Sequence, residues 1–473
     1  MVFSSHIFLF YFLPIALLLY YASPRVMKHL ILTLVSYVFY GWWNPWFTLL
    51  MLGSTIIDYG CGKMITAEGA SHKKRKTGML ISVFMNLGVL AFFKYTTFFA
   101  GNVSGLSEML GMGTAELPEF FYNIVLPVGI SFYTFQSMSY SIDLYRGHAV
   151  PARNFIDFAC YVSMFPQLVA GPIVRYGSVA DQLRQRDHTL PGFVEGFTRF
   201  NFGFAKKIIL ANPVGNIADA CFGAGEGVLN TPMAWVGVMA YAFQIYFDFS
   251  AYSDMAIGLG RMFGFRFPEN FDSPYKSKSI TEFWRRWHIS LSSFLRDYLY
   301  IPLGGNRKGE ARTYINLMLV MLIGGLWHGS QWTFIAWGAI HGGMLALERL
   351  MGKKSWFGKM PGQLRVVITF GVVLITWVFF RAETFEVATH YLGSMFGFGG
   401  DAPAADLLQA TQIRPATIFY LVLCSVVTWF MPHTAKFLEK TSGWKIALSL
   451  ILLAVSVRLL FTQGANPFLY FQF

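Results

Sequence analysis

The sequence predicts an all-α, polytopic transmembrane protein, and two observations lead to that fold class. Hydrophobic residues make up 55% of the chain and charged residues only 13%, with a mean hydropathy of +0.46, so too little polar surface exists to cover a soluble core. Apolar runs of helical length also alternate with short loops that carry most of the basic residues. We therefore expect one integral membrane domain over residues 1–473, with about 11–12 spans and with re-entrant and amphipathic helices besides.

The first half of the chain predicts an orientation through its loop charges. Arg25, Lys28 and the Lys73–Lys76 run lie in the first and third loops, whereas residues 101–122 carry glutamates, among them Glu116, and no basic residue. The positive-inside rule then places the N-terminus outside and residues 61–78 inside. No basic residue precedes the first apolar run, which predicts a retained span and not a signal peptide. The predicted spans are residues 7–21, 29–41, 46–60, 79–100 and 123–145.

The middle of the chain is less regular. Residues 155–197 join a Pro- and Gly-broken apolar stretch to a charged one, and they predict a re-entrant segment that protein must cover. Crossings follow from Lys206 to about residue 222 and from 233 to 260. Residues 261–312 then form the most basic loop of the chain, which predicts a cytoplasmic position.

The last third of the chain predicts a helical hairpin and three further crossings. Residues 313–327 and 331–350 form the hairpin, and His328 lies at its far bend. The basic turn 351–365, which includes Lys353 and Lys354, is predicted inside. The later crossings are residues 366–380, 416–432 and 446–463, with the C-terminus outside.

An amphipathic helix is predicted inside the basic loop, from Thr281 to Tyr300, because apolar residues recur there at helical spacing. Ser279 and Glu282 stand three apart, as in a capping box. His288 falls at the edge of the apolar face, so its side chain should point towards protein or lipid. Counting 1.5 Å per residue puts His328 roughly 24–30 Å from the cytoplasmic charges, so the two histidines meet only if the loop folds into the protein.

The chemistry of these histidines points to acyl transfer. Moving an acyl group from a thioester to a hydroxyl requires a base that takes the hydroxyl proton near neutral pH, and imidazole has that property. His328 is the best candidate, since Trp327 could donate a hydrogen bond to an oxyanion and Gly329 lets backbone or substrate approach. His288 could have an orienting role or could relay a proton. The alternative is that a membrane histidine only caps a bend, and for His341 we favour such a structural role, in helix packing.

Three stretches carry a resemblance to a known family. They are residues 283–292 (FWRRWHISLS), 299–307 (LYIPLGGNR) and 326–329 (LWHG), and together they resemble the central signature of the membrane-bound O-acyltransferases. Residues 246–254 and the tail Pro467–Phe473 are similar to the bacterial alginate O-acetylase branch. The resemblance implies a catalytic core at about 233–350, and it implies that His328 and His288 are the paired histidines of the family.

The same resemblance implies a function. It suggests a bacterial inner-membrane enzyme that passes acetyl from a cytoplasmic thioester, acetyl-CoA, to an exopolysaccharide such as alginate. The branch works with an extracytoplasmic esterase-like partner and a polysaccharide assembly machinery. Other cell-surface glycans (cellulose, peptidoglycan, teichoic acid) stay open as acceptors. A transporter is the alternative from another class, although no repeated pair of broken segments supports it.

Other polar residues are given more modest predictions. Arg285, Arg286, Arg307 and Lys308 could contact the phosphates of the donor, although membrane topology alone would also place them there. Asp58, Asp248, Asp254 and Arg458 are predicted to make structural hydrogen bonds. The four cysteines are expected to pack rather than to bind metal, and we expect no permanently bound cofactor, no metal and no nucleic-acid partner, with the lipid bilayer as surroundings.

Overall fold

The computed structural model describes residues 1–113, 118–225, 227–352, 355–399, 403–464 and 468–469 of the chain. Within these ranges the only regular elements are helices, which confirms the all-α prediction. A few residues used above lie outside the described part, namely Glu116, Lys353, Lys354, Pro467 and residues 470–473.

The α-helices of the described residues are numbered here in chain order. They are α1 Leu13–Ala22, α2 Lys28–Gly41, α3 Trp46–Thr66, α4 His72–Met109, α5 Ile130–Arg146, α6 Phe155–Ser163, α7 Phe165–Leu168, α8 Tyr176–Arg184, α9 Leu190–Ala205, α10 Asn212–Phe222, α11 Thr231–Met262, α12 Ile280–Arg286, α13 Ile289–Leu295, α14 Glu310–His328, α15 Trp332–Met351, α16 Trp356–Lys359, α17 Gly362–Arg381, α18 Phe385–Met395, α19 Pro403–Gln412, α20 Pro415–Trp429, α21 Thr434–Phe437 and α22 Gly443–Thr462. Single π-helical turns at Phe8–Phe12, Lys206–Ala211 and Arg296–Tyr300, and 3₁₀ turns at Arg25–Met27, Glu119–Phe121 and Pro274–Lys276, complete the set.

Many apolar side chains lie on the surface, as a lipid environment requires. Leu18, Phe84, Val367 and Ile451 are each more than 60% exposed, which a soluble protein would avoid at this frequency. In the described part of the chain, α4, α17 and α22 are each long and apolar enough to cross a bilayer, and α19 with α20 adds a fourth, bent by 67°, if the pair is one span. The protein is polytopic, and the larger number of spans stays a prediction.

The chain divides into two compact units, which we describe separately, while the prediction of a single domain stays a prediction. The first unit comprises residues 1–200 and 255–268. Its core contains a cluster of phenylalanine rings, and its buried Asp58 accepts hydrogen bonds from Ser82 (2.6 Å) and Asn86 (2.9 Å) on α4. Asp58 thereby joins α3 to α4, which is the structural role predicted for it. The phenylalanines of the cluster are Phe3, Phe8, Phe12, Phe39 and Phe165.

The second unit comprises residues 201–254 and 269–473. Two ion pairs join its π-helical turn to α11, the half-buried Lys206 with Asp254 and the buried Lys207 with Asp248 at 2.7 Å. Asp248 also accepts a hydrogen bond from the backbone N–H of Leu469 at 2.8 Å. Each charge therefore has a partner, as buried charges require, and the structural role predicted for both aspartates is supported.

One prediction about the middle of the chain is wrong in its boundary. The sequence predicts a re-entrant segment to residue 197 and a crossing from Lys206, but α9 already begins at Leu190 and continues through the π-helical turn into α10. Thr189 explains the early start, because its hydroxyl accepts a hydrogen bond from the Gly192 N–H and so caps the helix. Pro191 fits beside it, since the first turn needs no N–H from that residue.

Candidate active site

Helices α14 and α15 form the predicted hairpin, and glycines allow the two to touch. A Cβ added at Gly325 would lie 2.3 Å from the Phe334 carbonyl oxygen, and one at Gly338 would lie 2.4 Å from the Met321 carbonyl oxygen. Only glycine therefore permits this approach of two helix backbones. The hairpin prediction is confirmed, with His328 as the last residue of α14.

His328 lies in an aromatic enclosure. Its side chain is buried, and its ring centroid lies 5.0 Å from that of Trp327, 5.2 Å from that of Trp337 and 5.2 Å from that of Phe380. The sequence predicts that Gly329 admits backbone or substrate, but the structure places the Phe334 ring there, 2.1 Å from where a Cβ would be. Gly329 therefore leaves space for the Phe334 ring, which packs against Phe380 of the enclosure.

His288 interrupts the amphipathic segment, and the prediction of one helix from Thr281 to Tyr300 is wrong at this point. Helix α12 ends at Arg286, α13 begins at Ile289, and His288 between them adopts φ 45°, ψ 54°, the left-handed conformation. Such a backbone costs about 1–3 kcal/mol for a residue with a side chain. The predicted cap is present, since the Ser279 hydroxyl accepts from the Glu282 N–H at 3.0 Å.

Asn270 organises the turn at His288. Its carbonyl oxygen accepts from the Ile289 N–H at 2.9 Å, and its Oδ1 accepts from both the N–H (3.2 Å) and the hydroxyl (2.8 Å) of Ser290. Its Nδ2 donates to the Ser253 hydroxyl on α11 at 3.1 Å. One asparagine thus ties the backbone after His288 to the long helix α11, which offsets the cost of the left-handed residue.

The same network determines which nitrogen of His288 carries its proton. Nδ1 lies 3.2 Å from Asn270 Oδ1. Because a backbone N–H can only donate, the Ser290 contact identifies that amide atom as the acceptor oxygen, so Nδ1 of His288 must be the donor. In a neutral imidazole the lone pair is then on Nε2. His288 Nε2 is buried and has no hydrogen-bond partner in the described part of the chain.

The two histidines predicted to pair do meet. The ring centroids of His288 and His328 lie 6.4 Å apart, with Trp327 and Phe249 against the His288 ring. His288 is fully buried between two short helices, outside the membrane-spanning segments, and this burial lowers its pKa. The ring is therefore neutral at physiological pH, with its Nε2 lone pair available to a substrate proton.

His341 has a different environment. Its Nδ1 accepts from the Trp284 indole N–H at 3.3 Å, and its Nε2 lies 3.1 Å from the Thr376 hydroxyl, which itself donates to the Val373 carbonyl. Both ring nitrogens are engaged between α12, α15 and α17. This supports the structural role favoured from the sequence.

The four basic residues predicted to contact the donor phosphates do not form one group. Arg286 pairs with Glu282 at 2.9 Å and donates to the Asp272 carbonyl oxygen at 3.2 Å, so Glu282 already neutralises its charge. Arg285, Arg307 and Lys308 are exposed. Contact with the donor phosphates stays a prediction, and these three exposed side chains are better candidates for it than Arg286.

Two residues of the site were missed from the sequence. Asn270 lies in an irregular segment without periodicity, and no local pattern signals its contacts across 18 and 20 residues. Glu348, near the end of α15, accepts from the N–H groups of Ile280 (2.5 Å) and Thr281 (2.9 Å) and so caps α12. An acid is favoured at a helix N-terminus, but the sequence does not show which distant acid will serve.

Comparisons with known proteins identify the family of the chain. The chain is 45% identical over its whole length to the full length of a probable alginate O-acetylase AlgI from Pseudomonas putida, and 45% identical, again over both full lengths, to one from Azotobacter vinelandii. It is 34% identical, over all of this chain and 98% of the relative, to a peptidoglycan O-acetyltransferase from Helicobacter pylori. The family model of the membrane-bound O-acyltransferases matches residues 148–385, which include both histidines. This chain belongs to the membrane-bound O-acyltransferase family and is an O-acyltransferase of the membrane.

Proposed function

We propose that this enzyme passes acetyl from cytoplasmic acetyl-CoA across the bacterial inner membrane for O-acetylation of an exopolysaccharide such as alginate. The observation that carries the proposal is the full-length similarity to alginate O-acetylases, because it extends through the whole histidine site and through the C-terminal tail. The buried histidine pair supports the reaction type, since it offers a neutral base in an enclosure of aromatic rings.

The spacing of the two rings suggests how the hydroxyl is held. Ring nitrogens lie close to the centroid, so centroids 6.4 Å apart leave a gap of at least about 4 Å between nitrogens, which is too long for a direct hydrogen bond. A hydroxyl oxygen between the rings could contact both. In the proposed step this oxygen attacks the thioester carbonyl carbon, His328 takes the hydroxyl proton, and the proton then goes to the departing thiolate.

His288 acts in this scheme as the second proton acceptor. Its Nε2 lone pair, left free by the hydrogen bond between Nδ1 and Asn270, can accept a hydrogen bond from the acceptor hydroxyl and thereby orient it. The indole of Trp327 is the proposed donor to the oxyanion, and Arg285, Arg307 and Lys308 are the proposed contacts of the donor phosphates.

A separate protein is proposed to complete the transfer to polymer. The longest loop predicted outside is residues 382–415, which is too short to form a polysaccharide-binding domain. An extracytoplasmic esterase-like partner within the polysaccharide assembly machinery would receive the acetyl group. This arrangement requires the orientation proposed from the loop charges, with the N-terminus in the periplasm.

Purified full-length protein in proteoliposomes tests the proposal. The vesicles should hold the protein with its cytoplasmic face outwards. Acetyl-CoA added outside them should lose its acetyl group only when the esterase-like partner or a small hydroxyl acceptor is present inside the vesicles. The His328→Gln protein, matched for amount and melting temperature, should not support this loss. Acetylation of alginate by the chain alone would refute the relay, and an absence of thioester turnover with every acceptor would refute the enzyme assignment.

Peptidoglycan is the second candidate acceptor, because the Helicobacter relative matches the whole chain at 34% identity. Deletion of the gene in its own host separates the two. Loss of O-acetyl groups from secreted polysaccharide with unchanged cell wall supports the exopolysaccharide, and the reverse supports peptidoglycan.

A further inference from the structure

A basic cleft lies in the first unit, formed by residues that the acyl-transfer site does not use. It has a volume of about 450 Å³, and loops preceding α2, preceding α6 and following α8 surround it. Five of its side chains are Arg or Lys and one is an acid. The charged and histidine side chains at the cleft are Arg25, Lys28, His29, Arg153, Asp157, Arg184, Arg186 and His188.

Some of these side chains are already held by contacts inside the protein. Asp157 lies 2.5 Å from His29 Nδ1 and 3.2 Å from Arg153 Nε. The Arg186 guanidinium donates to the Tyr20 hydroxyl at 2.6 Å and to the Phe263 carbonyl oxygen at 3.1 Å. These contacts form a fixed floor for the cleft.

The remaining cations have no such counterpart. Arg25 and Arg184 are exposed, and neither has an ion-pair or side-chain hydrogen-bond partner in the described part of the chain. Lys28 donates to the Tyr20 carbonyl oxygen at 3.0 Å and lies over the Tyr20 ring, which leaves two of its three N–H groups. Several donors around one cleft, with a single acid already occupied, make a site for an anion.

The pKa of His188 reflects the positive charge around the cleft. Burial, followed by the charges of Arg186, Lys28 and Arg25, lowers its pKa to about 4. The ring is consequently neutral at physiological pH, and its Nε2 lies 2.8 Å from the Tyr20 hydroxyl. The surrounding cations thus repel further positive charge, and a bound anion would relieve that repulsion.

We propose that this cleft binds a phosphate group, and that the phosphate belongs to an anionic phospholipid. Phosphate matches the chemistry, because a guanidinium group binds two phosphate oxygens at once and several cations line this cleft. The apolar surroundings favour a lipid as its source. Val26 at the rim is 90% exposed, and the adjacent α1 exposes Leu18 (69%) and Leu19 (45%), so acyl chains would find an apolar surface beside the cleft.

Binding of short-chain lipids to the purified full-length protein in neutral detergent tests the proposal. The probes are dioctanoyl phosphatidylglycerol, inorganic phosphate and dioctanoylglycerol, which lacks the phosphate. The Arg25→Gln/Arg184→Gln variant removes the two unpaired guanidinium groups and leaves the floor intact. Arg414→Gln/Lys440→Gln is the matched control, because it removes the same charge from exposed positions outside the cleft.

The wild type and the control should bind phosphatidylglycerol, and the cleft variant should bind it about tenfold more weakly or worse, with an unchanged melting temperature. Weak competition by inorganic phosphate would identify the lipid as the source, whereas inorganic phosphate binding as tightly as the lipid would confirm the phosphate site and overturn its assignment to lipid. Equal binding by the cleft variant and the control, no binding by the wild type, or equal binding of dioctanoylglycerol would overturn the site altogether.

Discussion

At the scale of single residues, the proposed reaction depends on imidazole nitrogens that can accept a proton, on His328 as the base and on Nε2 of His288 beside it. Replacing His328 by Gln keeps much of the volume and some hydrogen-bonding capacity but removes the base. We expect acetyl transfer to fall by about 10² to 10⁴, measured as thioester turnover at equal protein level. Near-normal turnover in His328→Gln would make the residue a structural cap, and the base would then have to be His288 or a group outside this stretch.

Asn270 offers a sharper test, because its replacement changes the proton positions as well as the packing. Asn270→Ala should lower turnover about tenfold or more, since it removes the acceptor for His288 Nδ1 and for Ser290. Asn270→Asp keeps an acceptor oxygen and should restore part of that loss.

The pH profile distinguishes positioning from simple packing. A carboxylate at 270 would raise the pKa of His288, so its neutral form would be reached only at higher pH. The acid limb of the Asn270→Asp profile should therefore move to higher pH than that of the wild type. An unshifted limb together with full activity would show that Asn270 only packs.

At the scale of elements, the hairpin of α14 and α15 depends on glycine at the helix contact. Gly338→Ala would place a Cβ 2.4 Å from the Met321 carbonyl oxygen, so the helices must separate, at a cost of about 1–3 kcal/mol. We expect a lower melting temperature and lost turnover, because His328 is the last residue of α14. Gly343→Ala on the same helix has nothing within 4 Å and should leave both unchanged or raise the melting temperature. Equal behaviour of the two variants would contradict this account of the contact.

The elements also show what the sequence could and could not predict. The hairpin was predicted to within a few residues, because long apolar runs and a Gly-containing bend are local signals. The segment from Thr281 to Tyr300 was predicted as one helix, because its apolar spacing continues across His288. The break depends on Asn270 and Glu348, which reach it from 18 and 68 residues away, and periodicity carries no information about such contacts.

At the scale of the whole molecule, loop charge predicts an orientation that cysteine labelling can check. Lys74→Cys and Lys359→Cys should resist an impermeant thiol reagent added to intact cells, and Glu108→Cys should react. The native background should be low, because Cys61, Cys160, Cys221 and Cys424 are all buried. Equal labelling at 74 and 108 would show that the predicted topology is wrong, and with it the proposed direction of acetyl passage.

The left-handed backbone at His288 also has a consequence for sequence variation. Glycine and asparagine adopt that conformation more readily than histidine does, so a library at this position selected only for folded, membrane-inserted protein should be enriched in those two residues. A library selected for polysaccharide acetylation should instead keep histidine. The difference between the two residue distributions would measure, at this one position, how far selection for catalysis departs from selection for folding.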